Sequence, residues 1–159
     1  MSDVRKILVT GASGYVGGRL VTSLLEDNAQ VRVFVRDVNK AQSHSWASKV
    51  EIAVGNASDY QSTVKALTGI HTAFYLLHSI NSGTNFDKIE SEMARGFAKA
   101  AQEANVKQII YLGGINNDAK TSKHLKSRAN TGKELATTSV PVLEMRAGII
   151  IGSGSASFE

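Results

Sequence analysis

The sequence predicts an α/β fold, a doubly wound parallel sheet with strand order 3-2-1-4-5-6. Three observations predict it. Short apolar runs recur along the chain, with the near-continuous hydrophobicity of strands covered on both faces. Segments with an apolar period of three to four residues lie between them. A glycine-rich turn joins the first run to the first such segment. Strands alternating with helices imply parallel βαβ units, and right-handed crossovers then leave few topologies.

The first strand spans residues 6–10 and runs into glycines. Val16, Leu20 and Leu24, with Val21 and Leu25 beside them, mark the first helix. Strands follow at 31–35, 50–54, 72–77, 108–112 and 142–145. Phe86, Ile89, Met93, Phe97, Ala101 and Ala104 form the clearest helical stripe, a candidate packing surface for a homo-oligomer. Residues 121–138 are more polar but contain no proline, and read as a further helix.

The chain has 159 residues, enough for one domain with a real core, or for part of a larger protein. Apolar content of 42% and charged content of 20% exclude a disordered chain and a coiled coil. No apolar run approaches the roughly 20 residues of a membrane span. With no cysteine, disulfide scaffolds, thiolate zinc sites and cysteine nucleophiles are excluded. The four histidines are too scattered for a metal motif, and no metal site is expected. The N-terminus lacks a signal-peptide pattern, which points to the cytoplasm. Asn56-Ala57-Ser58 matches a glycosylation pattern only by accident in that setting. The net charge of +4 is spread along the chain, densest between Lys120 and Lys133. It suits a small anionic ligand better than nucleic acid. No G-x-S-x-G elbow and no Gly-Lys-Ser/Thr loop occurs, so hydrolase and NTPase chemistry are not expected.

The strongest signal is Thr10-Gly11-Ala12-Ser13-Gly14-Tyr15-Val16-Gly17, a G-x-x-G-x-x-G spacing between strand and helix. The first glycine permits the tight turn, the second lets backbone approach a pyrophosphate, and the third lets helix and strand pack closely. The helix N-terminus offers free N–H groups to the phosphates. Residues 1–151 therefore read as a dinucleotide-binding domain. Residues 152–159, which include Gly152-Ser153-Gly154-Ser155, read as the start of a C-terminal substrate segment otherwise absent.

The second strand ends Val35-Arg36-Asp37, with Lys40 following. A guanidinium there suits the 2′-phosphate of NADP(H), because its fork donates two hydrogen bonds. Asp37 could instead accept from a ribose hydroxyl, as in NAD sites. The sequence favours NADP(H) over NAD(H).

These residues resemble an atypical short-chain dehydrogenase/reductase, in the NmrA-like, NAD(P)H-binding branch that includes proteins described as nucleoside-diphosphate-sugar epimerases. The resemblance covers nearly the whole chain. It extends through Gly55-Asn56-Ala57-Ser58-Asp59, Tyr75-Leu76-Leu77-His78-Ser79, Tyr111-Leu112-Gly113-Gly114 and Arg146-Ala147-Gly148. It implies a Rossmann-type fold in which Gly11, Gly14 and Gly17 hold the pyrophosphate, with Ser13 and Tyr15 beside it. It places Asn56 and Ala57 at the adenine, and Leu76, Leu77 and His78 at the nicotinamide ribose. Asn56 replaces the usual aspartate but keeps an acceptor oxygen.

The family's Tyr-x-x-x-Lys pair is absent. By position, His124 stands for the tyrosine and Arg128 for the lysine, one helical turn apart on a shared face. The catalytic serine is replaced by Gly113 or Gly114. A histidine can trade a proton with a substrate oxygen. Two functions stay open at this point. One is an NAD(P)(H)-dependent oxidoreductase or epimerase-like enzyme acting on a small molecule. The other is a non-catalytic NADP(H)-binding redox sensor or structural module. Neither requires nucleic acid or membrane.

Overall fold

The computed structural model describes residues 5–78, 85–115 and 123–153, apart from the side chain of His124. Its elements in chain order are β1 (Ile7–Thr10), α1 (Tyr15–Glu26), β2 (Val31–Val35), α2 (Val38–Gln42), a 3-10 turn (Ala47–Lys49), β3 (Glu51–Val54), α3 (Tyr60–Leu67), β4 (Thr72–Tyr75), α4 (Phe86–Glu103), β5 (Gln108–Gly114), α5 (Lys123–Leu135) and β6 (Val142–Ala147). All five strand pairings are parallel, and the order is β3-β2-β1-β4-β5-β6.

Adjacent residues of β1 show why the strands read as continuous apolar runs. Leu8 packs with Phe97, Tyr75, Ile109, Tyr111 and Leu135 on the face covered by α3, α4 and α5. Val9 packs with Val21, Val33, Ala41 and Trp46 on the face covered by α1 and α2. Both sides of the sheet are buried, so no polar alternation is needed.

Helix ends follow local chemistry. Asp37 caps α2 by accepting from Asn39 N and Lys40 N. Asp59 caps α3 by accepting from Ser62 N at 2.9 Å. Those backbone bonds hold the Asp59 carboxyl below its ordinary range. Asn28 and Asn105 take left-handed backbone, with φ of 60° and 58°, just beyond α1 and α4. They allow Ala29 N to reach Leu24 O and Val106 N to reach Ala101 O, closing both helices.

The structure adjusts several sequence expectations. β4 stops at Tyr75, so Leu76, Leu77 and His78 lie beyond the strand. β5 extends to Gly114, because β6 pairs with Gly113 and Gly114. The fifth helix is shorter than expected, at Lys123–Leu135. Helices α2 and α3 were not resolved individually by periodicity; each is short and is defined mainly by its aspartate cap. His44 and His71 each have a partner near in sequence. His44 stacks on Trp46 with ring centroids 4.7 Å apart, and His71 Nδ1 lies 2.9 Å from Thr72 Oγ1.

Candidate functional site

A cavity of about 560 Å³ opens at the C-terminal ends of the strands, over the β1/β4 boundary where strand order reverses. Open α/β sheets place ligands at that switch point. Gly11 shows why the turn beneath it needs glycine. Its φ is +67°, and a Cβ would stand 2.7 Å from Leu76 O. At Gly17 a Cβ would collide with Gly11 O, so α1 starts hard against the turn. Thr10, fully buried, stitches the switch point: its hydroxyl donates to Phe74 O at 2.9 Å and accepts from Leu76 N at 3.0 Å. Nothing in the local pattern around Thr10 signals this contact, whose partners lie 64 and 66 positions away.

The expected binding residues converge on this cavity. Gly11, Ser13, Gly14, Tyr15 and Gly17 form its floor and wall at the turn. Arg36 lines it from the end of β2, with Asp37 and Lys40. Asn56 and Ala57 line it from the loop after β3, and Leu76, Leu77 and His78 from the segment after β4. Asn56 Oδ1 accepts from Ser58 N at 3.0 Å, so the oxygen expected to face adenine already holds its own turn. Arg128 reaches the cavity from α5. His124 belongs to α5, but its side chain lies outside the described residues.

Two wall residues were read differently from sequence. Ile89 and Met93 belong to the apolar stripe of α4, yet both line the cavity, and Ile89 is 53% exposed. Met93 Sδ meets the Ser58 hydroxyl at 3.9 Å, which ties α4 to the loop after β3. The stripe turns from core to cavity at its N-terminal end, because α4 overhangs the strand ends there. Periodicity alone carries no mark of that change.

The electrostatics at the far end are set by His78, Arg128 and Glu90. His78 keeps part of its surface open. Even so, the enclosing walls push its pKa down to about 4, aided by the Arg128 cation and opposed by Glu90. At pH 7 it is therefore a neutral imidazole. Arg128 is held from its backbone side, where Tyr111 Oη donates to Arg128 O at 3.0 Å. Burial, partly offset by Arg128, raises the Tyr111 pKa to about 12, so its hydroxyl stays protonated.

Helix α5 is braced against α4 by three polar rungs. Ser127 Oγ donates to Glu90 Oε2 at 2.5 Å, Asn130 Nδ2 to Ser91 Oγ at 2.5 Å, and Arg95 forms a two-pronged pair with Glu134 at 2.8 Å. The positions at the end of β5 that stand for the serine are crowded by side-chain ends. A Cβ on Gly114 would stand 2.6 Å from Leu125 Cδ2, and one on Gly113 2.6 Å from Glu144 Oε1.

The model of the NAD(P)H-binding family matches residues 11–139, most of the chain and all of the cavity's glycine turn. The chain belongs to this NAD(P)H-binding family. It carries the dinucleotide-binding domain found in short-chain dehydrogenase/reductase-like oxidoreductases and epimerases. It is 31% identical over 120 residues to a 3-beta-hydroxysteroid dehydrogenase of Mycolicibacterium neoaurum, covering 69% of this chain and 32% of that protein. Among solved structures, it is similar to the Citrobacter sp. triphenylmethane reductase complexed with NADP(H). The identity is 26% and the TM-score 0.76, covering 88% of this chain and 48% of that one. It is also similar to an NADPH-dependent quinone oxidoreductase of Escherichia coli, at 25% identity and a TM-score of 0.73, again covering 88% and 48%. The chain thus spans about a third of that curated relative and about half of those solved structures.

Proposed function

We propose that this chain binds NADP(H) in preference to NAD(H) and presents it for hydride transfer in a cytoplasmic oxidoreductase or epimerase-like enzyme acting on a small molecule. The observation that carries the cofactor preference is the pair of cations, Arg36 and Lys40, at the β2 end of the cavity. Asp37 Oδ1 accepts from Asn39 N at 2.9 Å and from Lys40 N at 3.2 Å, so one carboxylate oxygen caps α2. Two cations beside a partly engaged carboxylate suit a 2′-phosphate better than a ribose hydroxyl.

In this reading Gly11, Gly14 and Gly17, with Ser13 and Tyr15, hold the pyrophosphate against the N-terminus of α1. Asn56 and Ala57 flank the adenine. Leu76, Leu77 and His78 line the nicotinamide ribose. The bound dinucleotide supplies the hydride chemistry. The Arg128 guanidinium steadies a developing oxyanion by donating hydrogen bonds to it. His124, one turn earlier on α5, is the proposed proton donor and acceptor. The triphenylmethane reductase complexed with NADP(H) and the NADPH-dependent quinone oxidoreductase support the same cofactor. No observation at the cavity favours the non-catalytic sensor.

Calorimetric titration of the chain with NADPH and NADH tests this directly. NADPH is expected to bind at least about tenfold tighter, a gap of about 1.4 kcal/mol, and Arg36→Ala to remove most of that gap while leaving NADH affinity nearly unchanged. Equal affinities in the unaltered chain would overturn the preference. Binding of neither would overturn the site.

A further inference from the structure

Three contacts converge on the segment that follows β6. Arg19 Nη2 donates to Ser153 O at 2.9 Å, across 134 positions of sequence. The same guanidinium lies over the Tyr15 ring, 4.4 Å from its centroid. The Tyr15 hydroxyl abuts Gly152 so closely that a Cβ at that position would collide with it. Tyr15 and Arg19 stand one turn apart at the start of α1 and share a face.

Among the described residues, no other side-chain hydrogen bond reaches this segment at residues 149–153. Ile149 and Ile151 are 80% and 70% exposed, so its apolar side chains do not anchor it. Ile150, between them, lines the cavity. Its place in the cavity wall therefore depends on what fastens its neighbours. The family resemblance implies a place for Tyr15 beside the pyrophosphate and none for Arg19.

We propose that Arg19 is a positioning residue for the dinucleotide: with Tyr15 it fastens residues 150–153 beside the glycine turn, holding Ile150 in the cavity wall. The inference rests on the cavity being the dinucleotide site. A cation over an aromatic ring and one charge-assisted hydrogen bond are each weak at an exposed site, so the fastening is closed at rest and opens transiently, which lets cofactor pass. A side chain at Gly152 would force the Tyr15 hydroxyl and the segment apart. Arg19 touches no reacting atom. Its effect falls on the rate of cofactor release, the term through which most affinity differences are expressed.

The test has two arms. In the first, amide hydrogen exchange is followed on the unliganded chain. Arg19→Ala and Gly152→Ala are expected to speed exchange at residues 149–153 by about tenfold and to leave β1, β4 and α4 unchanged. Arg19→Lys, which keeps a cation and a donor, is expected to restore part of the protection. In the second arm, NADPH release is followed by stopped-flow fluorescence. Arg19→Ala is expected to raise the release rate about fivefold or more, with association changed by less than about twofold. Unchanged exchange at 149–153 in Arg19→Ala would overturn the fastening. Faster exchange with unchanged release would overturn its link to the cofactor. If the unaltered chain binds no NADPH, the proposed function and that link fall together, while the exchange arm still decides whether the fastening exists.

Discussion

From sequence Asp37 reads as an alternative ribose ligand, and the structure adds a role as a cap, its Oδ1 accepting from Asn39 N and Lys40 N. That role depends on α2 beginning at Val38, a five-residue helix with no periodicity to detect. His78 illustrates the opposite case, where the residue is visible and its state is not. Its folded pKa of about 4 lies below the ordinary value of 6.5. Between those values the unfolded chain binds a proton that the folded chain does not, so stability falls as pH drops through that window. Urea midpoints at about pH 7 and about pH 5 should therefore separate further in the unaltered chain than in His78→Gln. Equal separations would show that His78 titrates normally.

At the scale of elements, α4 joins the core to the site. Its C-terminal two-thirds supply Ala94, Phe97, Ala98, Ala100 and Ala101, all fully buried, while Ile89 near its start faces the cavity. Phe97 meets the Tyr75 ring edge-on at 4.9 Å. Phe97→Ala should cost about 3–5 kcal/mol, the usual penalty for emptying an aromatic site in a packed core. Chemical denaturation would measure it, and a cost below about 1 kcal/mol would mean that the neighbouring helices close the gap. The polar rungs between α4 and α5 are different in kind. Arg95 is half exposed, and such pairs contribute little to stability. Their geometric consequence is larger, since they set where the turn bearing Arg128 stands.

At the scale of the whole molecule, the sheet, the glycine turn and the cavity form one unit, so ligand binding and folding are linked. At free NADPH of about 100 times its dissociation constant, the folded state should gain about 2.7 kcal/mol. For a chain of this size that is a rise in melting temperature of roughly 5–10 °C. Gly11→Ala should abolish the rise, because its Cβ would press on Leu76 O and its φ of +67° disfavours any side chain. A thermal shift assay with and without NADPH reads both outcomes.

The amino-acid sequence determined the strand order, the alternation of strands with helices and the glycine turn. Each rests on local chemistry: buried strands need apolar runs, helices need a repeating face, and the turn needs glycine at position 11. It also pointed to residues that line the cavity at the strand ends, because they lie at fixed offsets from those elements. Only the tertiary structure decided the rest. The depression of the His78 pKa comes from Arg128 and from walls distant in sequence. Leu125 and Glu144 fill the space beside Gly114 and Gly113. Ile89 leaves the core because α4 projects past the strands, and Arg19 meets Ser153 only when α1 and the end of β6 are brought side by side. These properties depend on distances between segments far apart in the chain, and local pattern carries no record of such distances.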